Sequence, residues 1–153
     1  MADVIRLVRS LEIPIGDARW PPSVELAPFS AKLAPAAHQL LGKVYENGRF
    51  GSVPEGFDTW WAAVRRDSEF DASLCFCAVD GDVLVGFALC WTSSFVKDFG
   101  VMSFYRRQGV GEALMRTAFR AFNQRGCKEV ALKVRSDNAT AKRFYGRLGF
   151  EPT

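Results

Sequence analysis

The segment from Arg106 to Gly111, Arg-Arg-Gln-Gly-Val-Gly, carries the clearest chemistry in the sequence. It follows an apolar run typical of a strand and precedes a long amphipathic stretch typical of a helix. Glycines at 109 and 111 let the backbone approach a ligand closely, because no Cβ stands in the way. The unpaired N–H groups of a first helical turn form an anion site, to which the helix dipole and the two arginines add charge. Phosphate is the natural ligand of such a loop.

The surrounding sequence narrows this interpretation. No Lys-Ser/Thr pair follows the glycines, so the loop is not a P-loop, and Leu114 stands where the dinucleotide fingerprint needs a third glycine. Residues 101–153 hold 11 Lys/Arg and 4 Asp/Glu, whereas residues 1–100 hold 9 and 13. The asymmetry predicts an anionic ligand near the C-terminal third, unless it marks only a solvated basic helix face. Nucleic acid is not favoured, because no aromatic platform is interleaved with the cations.

Other residue types with chemical potential give weaker signals. Cys75 and Cys77 share a strand face and Cys90 and Cys127 are isolated, so we expect free thiols, mostly buried, and no metal site. The single histidine, His38, has no carboxylate near it in sequence and is interpreted as a surface or packing residue rather than a catalytic one.

Length and hydropathy set the broad class. The 153 residues suit one domain, which we place at 1–153. No apolar run approaches the roughly 20 residues that a membrane span needs. The first residues lack the layout of a signal peptide, so we expect a cytoplasmic protein.

The elements that must position the loop follow from periodicity and turn signals. The later strand–helix–strand unit implies a parallel strand pair inside a mixed sheet. Strands are predicted over 4–13, 24–28, 74–79, 82–91, 95–101 and 129–135, and helices over 36–46, 58–66, 110–125 and 138–147.

Three pieces of sequence, in order, resemble the GNAT superfamily of N-acetyltransferases. Arg106, Gly109 and Gly111 fill the pattern Arg/Gln-x-x-Gly-x-Gly/Ala, and Lys97 to Val101 is similar to the family's fourth strand. The segment 138–150, which ends in Leu-Gly-Phe, is similar to its closing motif. The resemblance covers residues 82–150 and implies an α/β fold. Its sheet would be mixed and mostly antiparallel, with splayed parallel fourth and fifth strands and about four flanking helices.

The resemblance also implies a site for acetyl-CoA as cosubstrate. The backbone of the fourth strand would pair with the pantetheine arm and polarise the thioester carbonyl, and the amides of the glycine loop would hold the pyrophosphate. Asn138 would hydrogen-bond the arm. The residues implied to bind the cofactor are Phe99, Val101, Arg106, Arg107, Gln108, Gly109, Val110, Gly111, Glu112, Asn138, Ala141 and Phe144.

Two catalytic residues are implied. Tyr145 matches the family's general acid, which would protonate the departing thiolate, although a buried structural tyrosine is the alternative. Asp98 is the first choice for the general base, but strand alternation turns it away from the face of Phe99, so a structural role stays open. The other candidates for the base are Glu46, Glu55, Asp58 and a chain of waters.

The implied activity is acetyl transfer to an amine, on a small molecule or a protein, by direct attack in a ternary complex. A longer acyl chain and an inactive acyl-CoA-binding module are the alternatives, and a homodimer is left open. Two features depart from the family. The strand expected after Leu148-Gly149-Phe150 is missing or very short, which the N-terminal segment, a partner subunit or a truncation would explain. Gly100 lies within a strand and is predicted to mark a bulge that splays the sheet.

Overall fold

The computed structural model describes residues 3–45 and 56–153. These residues form seven strands, four α-helices and two short 3-10 helices, over Ala31–Leu33 and Ser103–Gln108. The strands are β1 (Val4–Ser10), β2 (Val24–Pro28), β3 (Phe70–Asp80), β4 (Val83–Trp91), β5 (Phe95–Val101), β6 (Glu129–Arg135) and β7 (Glu151–Pro152). The helices are α1 (Ala34–Val44), α2 (Phe57–Arg66), α3 (Val110–Gln124) and α4 (Ala139–Arg147).

All seven strands join one sheet in the order β2-β3-β4-β5-β6-β1-β7. Every pairing is antiparallel except that of β5 with β6, whose register contains the single pair Phe95 and Ala131. There the Ala131 amide donates to the Ser94 carbonyl at 3.0 Å. Beyond this contact the two strands diverge. The predicted mixed sheet and its splayed parallel pair are therefore confirmed.

The sheet is covered on both faces. Helix α3 buries one apolar stripe, which includes the fully buried rings of Phe119 and Phe122, against the first face. Helices α1 and α2 cover the second face and enclose an aromatic cluster that contains Trp60 and Trp91. Full burial of one such side chain contributes roughly 1.5–3 kcal/mol, so these two layers are the main source of stability.

Strand β1 lies between β6 and β7, far from its neighbours in sequence. It pairs with β6 from Val4–Arg135 to Ser10–Glu129 and with β7 through Leu7–Pro152 and Val8–Glu151. The strand expected to be missing or very short after Leu-Gly-Phe is present, with two residues. The N-terminal segment supplies the strand beside β6, which was the first of the three explanations.

Arg9 fastens β1 to the end of α4. Its side chain is 5% exposed, and Nε donates to the Leu148 carbonyl at 2.8 Å. The two Nη atoms donate to the carbonyls of Ser10 and Pro14, and the guanidinium stacks over the Phe119 ring. The buried cation is therefore satisfied by carbonyl groups rather than by a carboxylate.

The prediction of a bulge at Gly100 is wrong. Gly100 pairs regularly with Phe87, whereas the register shifts between Val96 and Asp98, which leaves Lys97 as the extra residue of β5. A Cβ at Gly100 would lie 2.8 Å from Cγ2 of Val44. The glycine therefore lets α1 pack closely on β5, and the bulge of β5 lies at Lys97 instead.

None of the helices in the described ranges has the length and apolar character needed to cross a bilayer. Within the same ranges no group of His, Cys, Asp and Glu side chains could hold a metal ion.

Candidate active site

A cleft of about 680 Å³ opens where β5 and β6 diverge. Its walls come from both strands, from α4, from the loop before α3 and from the end of α1. Because the two strands separate after one pair, the edge of β5 that faces β6 keeps backbone groups available for a ligand.

The lining of the cleft is strongly cationic. No Asp or Glu belongs to it in the part of the chain that the structure describes. A cleft lined by one sign of charge concentrates ligands of the opposite sign, so this lining is consistent with the anionic ligand expected from the basic C-terminal third. The cations are Lys97, Arg106, Arg107, Lys133, Arg135, Arg143 and Arg147.

The glycine loop, residues 106–111, leads directly into α3. Gly109 has φ of +89°, a left-handed conformation that lets the 3-10 helix over Ser103–Gln108 turn directly into α3. The first helical hydrogen bond runs from the Ala113 amide to the Gly109 carbonyl at 3.0 Å. The amides of the first turn precede this bond and so have no partner within α3. Arg106 is anchored beside them, because its Nε donates to the Val101 carbonyl at 3.1 Å.

Most of the residues predicted for the site are brought together here. The predicted residues that line the cleft are Phe99, Val101, Arg106, Arg107, Gly111, Asn138, Ala141, Phe144 and Tyr145.

Four predicted cofactor residues do not line the cleft with their side chains. Val110 is fully buried in the core, and Glu112 pairs with Nη2 of Arg116 at 2.6 Å. The side-chain Nε2 of Gln108 donates to the Phe104 carbonyl at 3.0 Å, and Gly109 has no side chain. Any role of these residues toward a ligand therefore falls to their backbone.

Asn138 has a structural role in addition to the predicted one. It is 4% exposed and forms the N-cap of α4, with Oδ1 accepting from the Ala141 amide at 3.1 Å. The cap uses the carbonyl oxygen, so the side-chain nitrogen is the atom that can donate to a ligand in the cleft.

Aromatic rings form one side of the cleft. Phe99 and Phe144 stack, and a Cβ on Gly111 would lie 3.3 Å from Cζ of Phe144 and 3.4 Å from Cζ of Phe99. Gly111 is therefore required to make room for the rings as well as to free the backbone.

Tyr145 lines the cleft within the same aromatic group, in contact with Phe99, Phe144 and Phe150. Burial raises the pKa of its hydroxyl above the ordinary value. The phenol is therefore protonated at neutral pH, which is the state that a proton donor needs.

Asp98 lies on the opposite face of β5 and does not line the cleft. Its side chain is 6% exposed, and Oδ1 accepts a hydrogen bond of 3.1 Å from the Tyr45 hydroxyl. Burial raises the pKa of the Asp98 carboxyl, although the Lys97 ammonium and the Tyr45 bond oppose that shift. Asp98 therefore meets the cleft only through neighbouring side chains.

Tyr45 is the residue that the sequence did not single out. It follows α1, lines the cleft, and its hydroxyl also accepts from the Phe99 amide at 3.3 Å. In the sequence it appears as the last member of an apolar stripe with Leu40, Leu41 and Val44. Nothing in that periodicity separates a core tyrosine from one whose hydroxyl reaches a neighbouring strand.

Glu46 and Glu55 fall outside the described residues, and Asp58 is exposed in the first turn of α2 and does not line the cleft. His38 packs against Phe57 and Trp60, in agreement with a packing role.

The thiols do not belong to the site. All four cysteines are free, and three of them are buried. Burial raises the pKa of the Cys75 and Cys77 thiols to about 12, so neither is a thiolate at neutral pH.

Comparison with known proteins agrees with this geometry. The model of the acetyltransferase (GNAT) family matches residues 35–150. N-alpha-acetyltransferase 30 of Xenopus laevis is 33% identical over 85 residues, which make up 50% of this chain and 31% of that protein. Mycothiol acetyltransferase of Saccharopolyspora erythraea is 28% identical over 154 aligned positions, which cover 95% of this chain and 49% of that protein. The chain thus spans half or less of the length of these relatives.

Solved structures share the fold. A GCN5-related N-acetyltransferase from Sphaerobacter thermophilus superposes with a TM-score of 0.83 at 24% identity, over 99% of this chain and 49% of that chain. An aminoglycoside N-acetyltransferase in complex with CoA superposes with a TM-score of 0.68 at 18% identity, over 85% of this chain and 89% of that chain. From the family match, the splayed sheet and the cationic cleft between its parallel strands, we conclude that the chain belongs to the GNAT family of acetyltransferases.

Proposed function

We propose that this chain transfers an acetyl group from acetyl-CoA to an amine, which attacks the thioester directly in a ternary complex. The observation that carries the proposal is the cleft itself. It combines a cationic lining, an edge of β5 that pairs with β6 at only one position, and the hydroxyl of Tyr145. We expect the reaction in the cytoplasm and within one domain at residues 1–153.

Acetyl-CoA supplies an activated thioester, and the residues of the cleft hold and polarise it. The amides of the first turn of α3, with Arg106 and Arg107, bind the phosphates. The backbone of Phe99 and Val101 pairs with the pantetheine arm, and Asn138 donates a hydrogen bond to it. The Phe99 amide points into the cleft, where it stabilises the negative charge that develops on the thioester oxygen.

Proton transfer on the two sides of the reaction falls to different residues. Tyr145 donates its proton to the departing thiolate, because burial keeps its hydroxyl protonated at neutral pH. Asp98 is the proposed base for the acceptor amine, and it lies on the other face of β5 from Phe99.

The relatives suggest which amines to test first. The Xenopus protein is named an N-alpha-acetyltransferase, so peptides with a free α-amino group head the panel. The substrate of the mycothiol acetyltransferase follows, because that relative aligns with 95% of this chain. Sisomicin completes it, because a solved aminoglycoside acetyltransferase of similar fold was determined with that compound.

The test measures acetyl-CoA binding by calorimetry and thiol release with each amine, for acetyl-CoA and for acyl-CoAs of increasing length. We expect acetyl-CoA to bind, one amine class to give turnover, and Tyr145→Phe to lower kcat by about 100-fold with unchanged binding. Tyr105→Phe is the matched control, because its hydroxyl bonds Asp80 and it does not line the cleft. Absence of acyl-CoA binding would refute the proposal. Binding without turnover for any amine would indicate a binding module instead, and preference for a longer chain would correct the donor.

A further inference from the structure

The Tyr45 hydroxyl forms hydrogen bonds with two groups of β5. It donates to Oδ1 of Asp98 at 3.1 Å and accepts from the Phe99 amide at 3.3 Å. Tyr45 itself is held at the end of α1, where its amide donates to the Leu41 carbonyl at 2.9 Å. One side chain from α1 therefore joins a buried carboxylate to the backbone of β5.

The contact with Phe99 uses a group that the proposed function assigns to the thioester. The Phe99 amide is directed away from β4, toward the open edge of β5, and the Tyr45 oxygen already lies within hydrogen-bonding distance of it. A carbonyl oxygen that takes this amide must displace the Tyr45 oxygen or share the donor with it. A single N–H divided between two acceptors gives each a weaker bond.

The hydrogen bond between Tyr45 and Asp98 connects the buried carboxyl of Asp98 to the cleft. Asp98 does not line the cleft, and in the described part of the chain its side-chain partners are Tyr45 and Lys97. The Lys97 ammonium lies 3.8 Å from Oδ2 and has donors only, so it cannot receive a proton from an amine. The Tyr45 hydroxyl both donates and accepts, and it lines the cleft.

We propose that Tyr45 holds the Phe99 amide in the free protein, yields it to the thioester carbonyl when acyl-CoA binds, and then relays the proton of the acceptor amine to Asp98. The proposal rests on the proposed acyl-transfer function. Loss of the Phe99 partner leaves the Tyr45 oxygen with a lone pair for the amine, while its O–H still points at the carboxylate. Cosubstrate binding thus prepares the base.

Every proton that moves in these steps has a donor and an acceptor. The amine nitrogen forms a bond to the acyl carbon as its N–H proton passes to the Tyr45 oxygen, and the Tyr45 hydroxyl proton passes to Asp98. The C–S bond breaks, and the thiolate takes a proton from Tyr145. Asp98 is left neutral and Tyr45 unchanged. The proton on Asp98 returns to water through Tyr45 after the products leave, and Tyr145 is reprotonated.

The first test needs no acceptor. CoA lacks the acyl carbonyl, so the ratio of acetyl-CoA affinity to CoA affinity isolates the competition for the Phe99 amide. We expect Tyr45→Phe to raise this ratio about threefold to tenfold, the effect of one hydrogen bond. Tyr105→Phe, which removes a hydroxyl from another Tyr–Asp pair, should leave the ratio unchanged. An unchanged ratio in Tyr45→Phe, with acetyl-CoA still bound, overturns the inference and leaves the proposed function intact.

The second test addresses the relay, with an amine that gives turnover. Asp98→Asn and Tyr45→Phe should each lower kcat by on the order of 100-fold, and the double variant should lose no more than either single one. The rise of kcat with pH that reports the base should disappear in both single variants, whereas a purely structural role would leave that pH profile in place. Multiplied effects in the double variant, or an unaltered pH profile in Tyr45→Phe, overturn the relay.

Discussion

The rings of Phe99 and Phe144 stack with centroids 5.9 Å apart and an interplanar angle of 18°. One ring comes from β5 and the other from α4, so the pair sets the spacing between a strand and a helix that both line the cleft. Gly111 lies at the start of α3, where a side chain would contact both rings.

This contact makes Gly111 a sensitive position. A methyl group in Gly111→Ala would lie 3.3 Å from Phe144 and 3.4 Å from Phe99, and the open cleft is where the rings can move. We expect acetyl-CoA affinity to fall roughly threefold to tenfold, by calorimetry, with the fold retained. Gly146→Ala in α4 is the control, because nothing lies within 4 Å of the added methyl. Equal affinities in the two variants would contradict the prediction.

Asn138 allows the cap and the ligand contact to be separated. Asn138→Ala removes the acceptor for the Ala141 amide, so we expect a loss of about 1 kcal/mol in the free energy of unfolding. Asn138→Asp retains the acceptor at the cap but replaces the donor nitrogen with an anionic oxygen. Its stability should match the wild type while acetyl-CoA affinity falls. Wild-type affinity in both variants would show that the Asn138 side chain does not contribute to acetyl-CoA binding.

The buried Asp98 carboxyl predicts a pH-dependent stability. Its pKa in the folded protein lies above the ordinary value of 3.8, mainly through burial, so the folded state binds the proton more tightly. The contribution of Asp98 is therefore full below 3.8 and is lost as pH rises through the folded pKa. Asp98→Asn does not titrate, so its free energy of unfolding relative to wild type should increase with pH across this window. Urea unfolding at a series of pH values measures the difference, and a difference that is independent of pH would contradict the prediction.

We expect Arg9 to tolerate replacement poorly, because its charged side chain is buried and hydrogen-bonded. Arg9→Met leaves the buried Leu148 carbonyl without its 2.8 Å donor and removes two further bonds, so we expect a loss of roughly 2–3 kcal/mol in chemical unfolding. Arg6→Met lies on the same strand with an exposed side chain and should change stability by less than about 0.5 kcal/mol. Similar losses in both variants would contradict the prediction. Replacing either arginine of β1 would then destabilise the protein for a reason other than these hydrogen bonds.

Local patterns in the sequence were sufficient for most of the fold. Helix α3 was predicted over 110–125 and spans Val110–Gln124, because its apolar spacing reflects one continuous buried face. The glycine loop was found because its chemistry is contained in six neighbouring residues.

Nonlocal contacts explain what the sequence could not provide. The partner of β1 depends on pairing across more than a hundred residues, and no local signal encodes it. The role of Gly100 depends on Val44 of α1, so strand propensity alone suggested a bulge instead. Tyr45 meets Asp98 only because α1 ends beside β5. Each of these features is a contact between elements rather than a property of one.

The position of β1 has a consequence for how the chain is made. Residues 4–10 are synthesised well before their partners, residues 129–135 and 151–152, which lie more than a hundred positions later in the chain. A growing chain can assemble the meander of β3, β4 and β5 while the first strand waits unpaired. Closure of the other half of the sheet must therefore follow the completion of β6, and such long-range pairing folds slowly. Until then β1 has no strand partner, and an unpaired strand is the form in which a β-protein is most exposed to association with another chain.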